Sequence, residues 1–61
     1  MKTKIDRVIQ VKESYSIVYC SGYIRTFEHG EKLSNTVKQY IKNSYVYILE
    51  SGIRLYKLNH D

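Results

Sequence analysis

SYVYILESGIRLYKL, Ser44 to Leu58, decides the fold, because it reads as a β-hairpin that the chain has already written once. Thirty residues earlier stands SYSIVYCSGYIRTFEH, Ser14 to His29. Lys12, Ser14, Tyr15, Ser21 and Gly22 recur as Lys42, Ser44, Tyr45, Ser51 and Gly52. Beyond Ser-Gly the offset shortens by one, so that Ile24-Arg25 meets Ile53-Arg54 and Phe27 meets Tyr56.

Pairing chooses the turn. A two-residue Ser21-Gly22 loop would set Val18 against Arg25, whereas a three-residue loop ending in glycine sets Val18 against Ile24 and Tyr19 against Tyr23. With Glu50-Ser51-Gly52 as the second loop, Leu49 faces Ile53 and Tyr47 faces Leu55. Apolar cross-strand pairs are worth roughly 0.2–1 kcal/mol each, so the three-residue loop is expected in both hairpins. Its third position is left-handed and favours Gly22 and Gly52.

Outward from the hairpins, Lys4 to Lys12 alternates, with Ile5, Arg7, Ile9 and Val11 on one side and Asp6, Val8 and Gln10 on the other. Three β-branched residues on one face predict a strand. Between the hairpins, Leu33, Val37, Tyr40 and Ile41 share one face of a helix expected over Gly30 to Lys42. Glu31 in its first turn and Lys42 in its last would suit the helix dipole, with Asn43 as the C-terminal cap. The expected fold is a single small α+β domain over residues 1–61, ordered β-β-β-α-β-β. Two β-hairpins and an N-terminal strand form one antiparallel sheet with the helix packed across it. The second sheet face is left partly apolar, with tyrosines on it. A short polar tail, Asn59 to Asp61, closes the chain.

Composition bounds the function. A 61-residue domain buries only about 60% of the surface of its unfolded chain, so a partner or a second copy would help it. Cys20 is the single cysteine, which excludes an intrachain disulfide and suits a reducing, cytoplasmic setting. MKTKIDRV lacks the apolar run of a signal peptide, and no stretch is long enough to span a membrane. The net charge of +4 and pI near 9.3 favour an acidic partner. The absence of alanine and the abundance of lysine, isoleucine and tyrosine accord with an AT-rich genome of the phage or mobile-element kind.

Catalytic chemistry finds little to work with. Cys20 with His29 or His60 as base could serve thiol chemistry, and Cys20, His29, His60 and Asp61 are ligand types a metal accepts, but neither set has a recognisable spacing. No glycine loop cradles phosphate, the acids are scattered singly, and no cofactor is expected. Tyrosine stands out instead, seven in the chain, interleaved with arginine and lysine. Such a face suits nucleobases and phosphates and equally suits protein hot spots. The expectation is therefore a non-enzymatic nucleic-acid-binding module, with Arg25, Arg54, Phe27, Tyr56 and Lys57 on the sheet and Lys2, Lys4, Arg7 or the helix lysines as basic flanks. The alternative is a small inhibitor or adaptor acting on a host protein through the same face, and a homodimer is the third possibility.

Overall fold

The computed structural model describes residues 4–58; Lys2 and the tail from Asn59 to Asp61, with His60, lie outside them. Five strands and one helix follow in the expected order: β1 (Ile5–Val11), β2 (Ser14–Tyr19), β3 (Ile24–Phe27), α1 (Asn35–Asn43), β4 (Tyr45–Ile48) and β5 (Arg54–Lys57). They form one antiparallel sheet in the order β3-β2-β1-β5-β4. The first strand in the chain is thus the central one, with a hairpin on either side.

Both hairpins have the register that apolar pairing demands. Val18 pairs with Ile24 and Ile17 with Arg25, while Tyr47 pairs with Leu55 and Ile48 with Arg54. The turns close alike: Gly22 N–H donates to Tyr19 C=O and Gly52 N–H to Leu49 C=O, both at 2.9 Å. Their φ values are +97° and +94°, a region that L side chains rarely enter. At the first turn the Tyr19 and Tyr23 rings stack, 5.7 Å between centroids.

Two expectations are corrected. The helix begins at Asn35, not Gly30, and Glu31 is therefore not in its first turn. The Ser34 hydroxyl accepts from Val37 N–H, satisfying a donor that the start of any helix leaves open. Upstream, Gly30 is left-handed at φ +91°, and Glu31 closes a loop by accepting from Glu28 N–H at 2.8 Å. Leu33 packs on the core from this loop, which is why it mimicked a helical position. At the other end Asn43 is still helical and Ser44 is the cap, its hydroxyl donating to Ile41 C=O at 2.9 Å.

The second correction concerns β1. Its register slips between Ile5 and Arg7, a bulge at Asp6 that turns Ile5 to the opposite face from Arg7, Ile9 and Val11. Ile5 consequently joins Val8 under the helix. The core is Val8, Ile17, Phe27, Val37 and Tyr40, with Leu33, Ile41, Tyr15, Tyr19 and Tyr56 packed against it. Tyr40 also bridges strands: its hydroxyl donates to Asp6 C=O at 2.8 Å and accepts from Leu58 N–H at 3.3 Å. These are the backbone groups left over where the bulge interrupts β1 and where the β1–β5 ladder, paired from Val8↔Tyr56 to Gln10↔Arg54, has run out. Burial pushes the Tyr40 phenol above its ordinary pKa, with the Leu58 hydrogen bond acting against that rise. No helix among the described residues is long and apolar enough to cross a membrane.

Candidate functional site

Partners in an antiparallel ladder point to the same side of the sheet, so the register assigns every strand residue to a face. Val8 and Ile17 lie under the helix, fully buried. Their neighbours in the ladders place Arg25, Phe27, Arg54, Tyr56, Val46 and Ile48 on that same side. Arg7, Ile9, Val11, Val18, Ile24, Thr26, Tyr45, Tyr47, Leu55 and Lys57 are on the other, together with Ser14 and Ser16. Leu49 and Ile53, joined by a 2.8 Å backbone hydrogen bond, continue its alternation past the ends of β4 and β5. Nothing in the described chain covers this open face.

Its centre is aliphatic. Ile9 pairs with Leu55 and Leu55 with Tyr47, while Arg7 pairs with Val18 and Val18 with Ile24. Towards the margins Ile24, Tyr45, Leu49 and Val11 are each about half exposed or more. Charge is sparse: Arg7 Nε is held by Asp6 in the bulge at 3.0 Å, and Glu28 at one corner accepts from the Ser14 hydroxyl at 3.3 Å. Lys57 is without an acidic partner among the described residues.

The residues singled out from the sequence are thereby divided. Arg7 and Lys57 belong to the open face. Arg25, Phe27, Arg54 and Tyr56 belong to the helix side, where they do not converge. Phe27 is a core residue, and Arg25 stacks on its ring at 4.2 Å. The Arg25 guanidinium also donates to Thr26 C=O at 2.9 Å and reaches Glu31 at 3.5 Å. Arg54 lies beyond β2 and β1, about 14 Å away at the usual strand spacing. Tyr56 donates to the Gln10 side chain at 2.7 Å. Lys4 sits at the start of β1 beside Cys20, whose N–H donates to Lys4 C=O at 2.8 Å.

Of the other titratable groups, His29 pairs with Glu13 across exposed turns, away from the exposed Cys20. No group of three or more His, Cys, Asp or Glu among the described residues is placed to hold a metal ion. The sequence led to the expectation of a second sheet face left partly apolar with tyrosines, but the one tyrosine named for the site, Tyr56, lies on the helix side, and Tyr45, Tyr47 and the aliphatic centre were not singled out. The alternation of Ile9, Val18 and Leu55 carried the signal; which side the helix covers did not show. No family model, curated protein or solved structure matches this chain.

Proposed function

We propose that the protein is a non-catalytic binding module that docks a protein partner on the open face of its sheet, as a small inhibitor or adaptor does. One observation carries the reading: that face presents Ile9, Val11, Val18, Ile24, Leu49, Ile53 and Leu55 with the two β4 tyrosines. A contiguous apolar face of this kind on a small domain marks an interaction surface. Nucleic acid, the expectation from tyrosine and basic charge, is less well served. Aliphatic side chains at the centre offer no π-face to a base, and Tyr45 and Tyr47 stand at one edge. The occupant is a surface apolar at its centre with an acidic group opposite Lys57.

Capture from nuclease-treated lysate tests this with exposed-residue variants that spare the core. Wild type and Arg54→Ala should retain the same protein, while Ile24→Asp combined with Tyr45→Asp loses it. Release of all bound material by nuclease would return the reading to nucleic acid. Self-association that the double variant abolishes would make the occupant a second copy, and equal retention by every variant would overturn the site.

A further inference from the structure

A second candidate site lies on the helix side of the sheet, at the end away from Tyr40. A cleft of about 280 Å³ opens there, lined by Gln10, Lys12, Gly52 and Arg54. It exists because β5 pairs with β1: Gln10 is opposite Arg54, which brings the turn after β1 beside the turn before β5. We propose that this cleft binds a phosphate-type oxyanion between Lys12 and Arg54.

Three features support the assignment. First, Lys12 is the one non-glycine residue with positive φ among those described, at 57°, a conformation uncommon for lysine. Gln10 fixes it there, donating from Nε2 to Lys12 C=O at 3.0 Å. Gln10 is in turn held by the Tyr56 hydroxyl on its Oε1, so the floor of the cleft is ordered before any ligand arrives. Second, neither Lys12 nor Arg54 has an acidic partner among the described residues, although Arg7 and Arg25 each have one. The adjacent acid, Glu13, is turned to His29. Third, the two cations are complementary in kind. A guanidinium offers a planar fork that meets two oxygens of a phosphate, and an ammonium adds a point charge. Two like charges held at one cleft repel until an anion lies between them.

The shared chemistry is the phosphoryl oxygen, whether on free phosphate, a phosphorylated peptide or a nucleic-acid backbone. The cleft is on the opposite side of the sheet from the open face, so either assignment can fail without the other. Amide NMR during titration with inorganic phosphate, at ionic strength held constant with chloride, reads the site directly. Saturable shifts confined to Lys12, Gly52, Arg54 and Gln10 are expected. Arg54→Ala should weaken the phosphate affinity at least about tenfold, the usual consequence of losing a charged hydrogen bond. Lys12→Gly, which tolerates the left-handed turn, should weaken it with the fold intact. Shifts that chloride alone reproduces, or that persist when Lys12→Gly and Arg54→Ala are combined, overturn the proposal. With the site established, displacement of phosphate by a phosphopeptide or by a single-stranded oligonucleotide names the source, and displacement by neither leaves free phosphate as the ligand.

Discussion

The two hairpins share a turn, a register and a run of identical residues, yet the sheet uses them in opposite senses. The first joins β1 through its leading arm, β2, and the second joins through its trailing arm, β5. Equivalent faces of the leading arms therefore point to opposite sides, whereas the trailing-arm repeat, shorter by one residue, keeps Arg25 with Arg54 and Phe27 with Tyr56 on the same side. Tyr15 and Ile17 go under the helix, whereas Tyr45 and Tyr47, their counterparts thirty residues on, go to the open face. The same local sequence has built core in one place and candidate docking surface in the other. What a strand residue does here is set by which arm pairs with the centre.

The largest test of this difference substitutes the counterparts alike. Ile17→Asp puts a charge where the side chain is wholly buried and should unfold the domain, since an unpaired buried carboxylate costs more than so small a fold can spare. Val37→Asp should do the same from the helix. Tyr47→Asp, on the open face, should keep its circular dichroism and most of its melting temperature. Equal unfolding by Ile17→Asp and Tyr47→Asp would mean that the hairpins are not used in opposite senses.

Next in size is the joint between the hairpins. Tyr40→Phe removes the hydroxyl serving both Asp6 C=O and Leu58 N–H, and should lower stability by about 1–3 kcal/mol in a denaturant melt. The same phenol has a raised pKa in the fold, whereas in the unfolded chain it titrates near the ordinary value of about 10. The unfolded state therefore loses its proton first. Stability is full below pH about 10 and falls as pH rises past it, an alkaline loss that Tyr40→Phe should reduce.

Much of this architecture was legible in the chain, for a physical reason. Turn and register are local: Gly22 and Gly52 had to be left-handed and Val18 had to find Ile24, so the hairpins could be derived within ten residues. The helix start was not legible, because Leu33 keeps helical spacing while packing from a loop, and Ser34 competes as a cap only four residues after Gly30. The bulge at Asp6 has no local signature either, since it shows only as a slip in the pairing of β1 with β2, beyond the end of the β1–β5 ladder. The sites needed the long-range pairing most. Lys12 and Arg54 become neighbours only through β1 and β5, and the repeat that linked Arg25 with Arg54 could not show which arm would be central.

Glycine should show the hairpins at their most alike. Gly22→Ala and Gly52→Ala each force φ > 0 on an L residue, and nothing lies within 4 Å of the added Cβ. The penalty is then conformational and should be about 1 kcal/mol at both sites. A large inequality would reveal contacts particular to one turn.

The smallest expected effect separates the paired arginines. Arg25 and Arg54 match in the sequence repeat, but Arg25 covers the Phe27 ring and spans Thr26 C=O and Glu31. Arg54 has no acidic partner among the described residues and lines a cleft. Arg25→Ala should therefore lower stability by about 0.5–1 kcal/mol, through the lost cation–π contact and the uncovered ring. Its exposed pairing with Glu31 should add little. Arg54→Ala should fall within about 0.5 kcal/mol of wild type, as exposed substitutions away from such contacts do. Parallel melts at low and high salt decide between them: the Arg25 effect should largely survive salt, being mostly packing, and an Arg25→Met variant should recover part of it. If Arg54→Ala proves the more destabilising of the two, Arg54 is a structural residue and the open cation assigned to the cleft does not exist.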